Sequence, residues 1–261
     1  MIMFLHQLNP TMKAVTVVIL VVLLALVFDP VTPSILLFST VLLMLVGAKV
    51  NWKRYFLYFL PFLLFSFGMF WTTLIFGKQP NSPDEVITIW TFEFPRESFI
   101  VALALALRVL SVAALSLLFI FTTNIVHFIL SLIQQLKLSP RIAYGVLAGY
   151  RFLPMMKDEL KIIREAYRIR GVHQATTIRG KWSQYKRYAI PLLASAIRKA
   201  ERTATAMESK GFTGERNRTF LRQFTITKKD WLFLVIMLAL YAAAVYTSSS
   251  LGFLKLYDGE L

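Results

Sequence analysis

Few side chains in this sequence have types and spacing suited to chemistry, and most of them do not converge. The three histidines, His6, His127 and His173, are far apart and lack the His-Glu-x-x-His spacing that seats a metal on one helix face. No metal site is expected. The chain has no cysteine, which removes thiol nucleophiles, thiolate ligands and disulfides. Gly180-Lys181 lacks the upstream glycine of a phosphate-cradling loop, so the chain is not expected to hydrolyse ATP itself. No Gly-x-Ser-x-Gly nucleophile turn occurs. Asp158 and Glu159 are a pair of acids, but adjacent helical residues point about 100° apart and do not meet at one site. They read as solvated helix surface. No catalytic residue is expected, nor any cofactor on this chain.

Two short segments of another kind stand out. Ile169-Arg170-Gly171 and Ser209-Lys210-Gly211 each end a helical pattern with a cation followed at once by glycine, and a hydrophobic residue comes next, Val172 or Phe212. The two glycines are forty residues apart. A cation in the last turn suits the negative end of the helix dipole, and glycine takes the left-handed conformation that closes a helix. Taken singly, each is an ordinary helix ending. Repeated in one basic region of the chain, they are its best functional clue; such a region faces anionic lipid headgroups, an acidic protein surface or nucleic acid.

Arg108 is the third candidate. It lies ten residues into an apolar run at 98–121, near mid-bilayer, where arginine costs about 2.5–3.5 kcal/mol to insert. Such a residue faces protein or water. It reads either as an intramembrane contact with a partner subunit or pathway, or as an internal pair or snorkelling side chain.

The elements that must position these groups follow from composition. Of 261 residues, 57% are hydrophobic and 16% charged, and the apolar residues come in long runs. The chain is therefore read as a polytopic membrane protein. Runs at 13–28, 31–48, 55–76, 98–121 and 231–251 give about five transmembrane helices. The first two are short against the roughly 20 residues that a bilayer core requires. Residues 1–12 show no basic leader or cleavage site, so the first run is expected to be retained. Pro61 and Gly68 suggest a kink in the third run, and 86–94 partly alternates, as a short strand or surface-lying segment would.

The net charge of +15 is concentrated in residues 122–230, which hold 21 Lys or Arg against 7 Asp or Glu. Domain boundaries follow: N-terminal membrane helices at 1–121, a basic cytoplasmic region at 122–230, and a last span with an outer tail at 231–261. Loop cations place the N-terminus and 122–230 in the cytoplasm, and the acid-rich loop at 77–97 and the C-terminus outside. The basic region reads as three helices. The first covers 124–138. The second opens with Ser139 and Pro140 and runs to Arg170, bending near Pro154. The third runs from about Trp182 to Lys210, bending at Pro191, with Ile190, Leu193, Ala194, Ile197, Ala200 and Ala204 on one face. Helices this apolar on one side must pack on each other, lie at the membrane surface or dock a partner. The remaining cations, including Arg141, Arg151, Arg187 and Arg198, read as solvated or lipid-facing surface. A membrane-anchored basic protein that binds nucleic acid is disfavoured, because its basic helices would not carry broad apolar faces. A multispan membrane enzyme would need convergent acids or histidines, which the sequence lacks.

At its paired endings the sequence resembles the transmembrane T component of energy-coupling factor (ECF) transporters, the EcfT/CbiQ family. The resemblance covers nearly the whole chain: N-terminal spans, a basic helical region and a terminal span. The family's signature is two Ala-Arg-Gly-like triplets at the ends of long coupling helices. Here they correspond to Ile169-Arg170-Gly171 and Ser209-Lys210-Gly211. Pro154 upstream of an acid and the Ala206-Met207 pair also resemble the family. Neither triplet begins with alanine, and the second has lysine, which keeps the charge but loses the bidentate fork. The resemblance implies an all-α energy-coupling subunit of an ABC-type importer that is not itself an enzyme. Its implied partners are two cytoplasmic ATP-binding cassette subunits, which bind the ATP, a membrane S component that binds the substrate, and the lipid bilayer, with no nucleic acid. The implied cargo is a vitamin, a vitamin precursor or a metal ion such as cobalt. The Ser-Lys-Gly-Phe ending resembles members dedicated to thiamine-related uptake.

Overall fold

Runs of leucine, valine, phenylalanine and alanine leave the backbone one way to satisfy its polar groups in a bilayer, the α-helix, which membrane neighbours let persist past Pro33 and Pro61. The computed structural model describes residues 4–76, 86–89, 92–172, 176–216 and 219–252. Over these the regular elements are helices and one hairpin: α1 (Phe4–Gln7), α2 (Pro10–Ala25), α3 (Val31–Gly47), α4 (Trp52–Phe76), β1 (Val86–Ile89), β2 (Phe92–Pro95), α5 (Arg96–Thr122), α6 (Ile125–Gln135), α7 (Pro140–Ile169), α8 (Ile178–Ser209) and α9 (Lys228–Ser250). The alternating stretch after α4 forms an antiparallel pair in which Val86 faces Pro95 and Ile89 faces Phe92. The fold class is all-α.

Three described helices are long and apolar enough to cross a membrane: Trp52–Phe76, Ser98–Thr122 and Lys228–Ser250. The other two expected spans are shorter, at 16 residues for α2 and 17 for α3. At 1.5 Å per residue they reach about 24–26 Å, under the ~30 Å hydrocarbon core. Local signals set these limits. Asn9 caps α2, its Oδ1 accepting from the Thr11 amide, and Pro10 sits at the first helical position. At the far end the turn through Asp29 closes α2, and the Asp29 carboxylate accepts from the amide and hydroxyl of Thr32 at 2.8 Å, opening α3. Pro61 is held inside α4.

The chain divides into two compact units, Met1–Ser131 with Phe224–Leu261, and Leu132–Gln223. The first unit centres on α5, against which α2, α3 and α4 pack. Alanines 102, 104, 106, 113 and 114 of α5 are buried. Small residues let neighbouring backbones approach where lipid supplies no hydrophobic drive between helices. Hydroxyls bridge the same seams: Ser66 donates to the Ala106 carbonyl at 2.8 Å, and Ser111 to that of Pro33 at 2.6 Å. Along α4 only Tyr55, Ser66 and Leu74 are buried, while Phe56, Leu57, Leu64 and Phe67 stand exposed, as a lipid- or partner-facing helix requires.

A buried polar cluster, which the sequence reading passed over, ties the ends of these helices together. Lys13 is 1% exposed. Its ammonium donates to the Leu5 carbonyl at 2.8 Å and to the Thr122 carbonyl at 2.9 Å, placing a cation on the last carbonyl of α5. Asp230 closes a capping box with Thr227 at the start of α9 and accepts from the Asn9 amide at 2.6 Å.

The second unit is built on α7 and α8. Pro140 begins α7 as expected, and both Pro154 and Pro191 lie within continuous helices. The third helix of the basic region starts earlier than expected, at Ile178 rather than Trp182. Its apolar stripe does not form the seam with α7. Ile190, Leu193 and Ile197 are 75%, 63% and 51% exposed, whereas Tyr188 and Ser195 are buried. Polar and small residues make that seam, leaving the large aliphatic ones uncovered.

Candidate functional site

The two cation–glycine segments fold into the same structure. In the first, the Gly171 amide donates to Arg168 O at 3.0 Å and the Val172 amide to Tyr167 O at 3.1 Å. In the second, the Gly211 amide donates to Glu208 O at 2.8 Å and the Phe212 amide to Met207 O at 3.0 Å. Each is a Schellman ending, with glycine left-handed at φ 78° and 81°. Arg170 and Lys210 are the C-cap residues, so a cation stands where the helix presents its free carbonyls.

All six segment residues, Ile169, Arg170, Gly171, Ser209, Lys210 and Gly211, are exposed, and Ile169 is 87% so. The Arg170 guanidinium lies 5.9 Å from the centre of the Tyr167 ring, and Phe212 packs edge-on to Tyr144 at 5.4 Å. A Cβ added at Gly171 or Gly211 would meet nothing within 4 Å. Glycine is needed there for its conformation rather than for space.

Contacts along α7 and α8 show that the two helices run in opposite directions. Tyr167 meets Tyr188 at 5.5 Å, Glu159 meets Lys199, and Tyr144 meets Phe212. The structure therefore does not bring the two endings together; it holds them at opposite ends of a helical hairpin. Each lies eleven residues beyond the Glu159–Lys199 contact. At 1.5 Å per residue they stand about 33 Å apart along the hairpin. Toward the second ending, Tyr144, Gly145, Gly149, Ala204, Met207 and Phe212 line an open groove.

Glu159 departs from its expected place on a solvated surface. Asp158 does lie on the exposed face, pairing with Lys161 one turn on at 3.2 Å. Glu159 points to α8, where its carboxylate accepts from the Lys199 ammonium at 2.5 Å and the Ser195 hydroxyl at 3.0 Å. Its side chain is 27% exposed. The hydrogen bonds from Lys199 and Ser195 hold the carboxyl below its ordinary value, with smaller help from the charges of Lys199 and Arg198. The sequence does not single out this contact, since Asp158 and Arg198, Lys161 and Glu201, and Arg168 and Glu208 share the same forty-residue offset.

Arg108 makes contacts within the chain. Its guanidinium donates to the Val27 carbonyl just past α2 and lies 4.2 Å from the centre of the Phe28 ring. Asp29 is fully buried beside this turn, and Tyr241 of α9 donates to Leu23 O at 2.9 Å. Arg141 is exposed, as expected of a solvated surface, and donates to the Thr213 carbonyl at 3.4 Å. Among the described residues, no three acids or histidines gather where they could hold a metal.

Comparison with known proteins bears on this geometry. The CbiQ family model, described as a cobalt transport protein, matches residues 2–221. Relatives bearing the name energy-coupling factor transporter transmembrane protein EcfT include one from Exiguobacterium sibiricum, 30% identical over 165 residues. That match covers 59% of this chain and 62% of the relative, just under two thirds of its length. The relative from Macrococcus caseolyticus is 24% identical, with 93% of each chain covered. The one from Acidaminococcus fermentans is 27% identical, covering 92% of this chain and 91% of its own.

Proposed function

This chain belongs to the CbiQ family of membrane transport proteins, and from that premise we propose that α7 and α8 are coupling helices seated on two cytoplasmic ATP-binding cassette subunits. ATP is bound by those partners. Closure of the nucleotide subunits shifts the two seats, the hairpin carries the shift as a stiff element, and a membrane S component holding the substrate changes its facing. The N-terminus and residues 122–230 lie in the cytoplasm, where positive loops are retained, and the C-terminus lies outside.

The observation that carries this reading is the repeat of one helix ending at both ends of an antiparallel hairpin. A single such ending is a common cap. Two exposed cation-capped endings about 33 Å apart suit two equivalent acidic grooves, one on each of two related subunits. The cargo class is a vitamin, a vitamin precursor or a metal ion, and the Ser209-Lys210-Gly211-Phe212 ending favours a thiamine-related compound. Selection of the cargo rests mainly with the S component.

The test is co-purification in detergent with the ATPase pair, comparing wild type with Arg170→Glu/Lys210→Glu. Losing one partner of a desolvated charge pair costs about 2 kcal/mol or more, so the double reversal weakens binding by about a thousand-fold. The wild type retains the ATPases and the inserted variant loses them. Equal capture would refute the seating of these endings.

A further inference from the structure

The hairpin has an internal symmetry that the paired endings alone do not reveal. Moving forty residues along the chain carries Gly171 onto Gly211, and it also carries Glu159 onto Lys199. In an antiparallel hairpin, a contact between residues related by the repeat lies on the approximate two-fold axis that exchanges the arms. The Glu159–Lys199 contact is that one. From it each arm extends eleven residues, about 16 Å, to its Schellman ending.

The contact is chemically unlike the rest of the seam. On one side of it Tyr167 meets Tyr188, and on the other Gly145, Gly149, Ala200 and Ala204 line the open groove between the arms. A carboxylate held at once by Lys199 at 2.5 Å and Ser195 at 3.0 Å, two residues one turn apart on α8, fixes both register and rotation. Among the described residues, the two other ion pairs in this unit are exposed and join residues three apart on α7, so neither links the arms.

We propose that Glu159, held by Lys199 and Ser195, is the pivot that sets the angle and register of the two arms, so that displacement at one ending is transmitted to the other. Glu159 and Lys199 are positioning residues; neither needs to touch an ATPase. The inference rests on the coupling reading for its consequence in transport, but the pivot itself is a property of the hairpin.

The experiment uses Glu159→Gln, Lys199→Met and the exchange Glu159→Lys/Lys199→Glu in the full chain. Because the chain has no cysteine, Ile169→Cys/Ser209→Cys added to each takes a spin label at both ends without further changes. In the native background the labels report one narrow distance of about 30 Å. Glu159→Gln and Lys199→Met broaden it, and the exchange narrows it again. In unlabelled complexes reconstituted with the ATPases and S component, the two single variants still capture the ATPases, while uptake per ATP hydrolysed falls about ten-fold, a typical coupling energy. The exchange recovers uptake.

Narrow native distances in both single variants would overturn the pivot. So would capture lost with the distance unchanged, because the pair would then belong to the ATPase contact. If the native chain captures no ATPase, the coupling reading fails, and the label distances still decide the pivot.

Discussion

Glycine at the two helix endings makes a claim about conformation that can be measured. Gly171 and Gly211 hold φ at 78° and 81°, and an added Cβ would meet no atom within 4 Å. Alanine at either site therefore fits sterically and carries only the left-handed penalty, about 1–2 kcal/mol. The smaller entropy of its unfolded chain returns about 0.4–1 kcal/mol, leaving a net cost of about 1 kcal/mol per site. The Gly171→Ala/Gly211→Ala variant then loses about 2 kcal/mol of closed-turn population, which lowers ATPase affinity by up to about thirty-fold. Asparagine tolerates the left-handed region, so Gly171→Asn/Gly211→Asn stays near wild type. The assay is ATPase binding to the chain in nanodiscs, read beside hydrogen exchange of the Val172 and Phe212 amides, whose bonds to Tyr167 O and Met207 O open as the turns fray. Two results would refute the reasoning. If asparagine and alanine lose affinity equally, the groove excludes any side chain and space is what matters. If the alanine variant binds normally while both amides exchange freely, the closed turn is not the recognised form.

Two further outcomes concern the charged groups. Arg108→Leu removes a charged hydrogen bond to Val27 O and the contact with Phe28, beside a fully buried Asp29. The variant should insert in the membrane and lose about 1.5–3 kcal/mol of stability in detergent unfolding; an unchanged unfolding midpoint would show that the contact carries no load. Acid should release the pivot: with its pKa held down in the folded chain, Glu159 stabilises the hairpin above the ordinary glutamate value of about 4.3 and ceases to as pH falls through its depressed value. Label distances between positions 169 and 209 should stay narrow from about pH 7 down to about 4.3 and broaden as pH falls on through the depressed value, and in Glu159→Gln should be broad throughout. Broadening already between about pH 7 and 5 would point to another titrating group.

The linear order of residues determined the class of this protein, the helical runs and the two endings. Those features depend on neighbours within a turn or two: apolar runs commit a segment to helix in lipid, and a left-handed glycine after a capping cation closes it. Pro140 at the start of α7 and Gly171 and Gly211 at the two ends were legible for that reason. The shortness of the first two spans was legible too; the start of α2 moved, to Pro10 behind the Asn9 cap, because a local side-chain bond rather than hydropathy sets it. Only the tertiary structure decided which polar residues were committed. Glu159 and Asp158 are neighbours with the same charge, and their fates diverge because one faces α8 and the other faces away. Lys13 looked like the edge of a span until α1 and α5 brought carbonyls to it, and Arg108 found Val27 eighty-one residues away. A side chain's direction on a helix is periodic and can be read from sequence, but what stands opposite it depends on how distant helices pack.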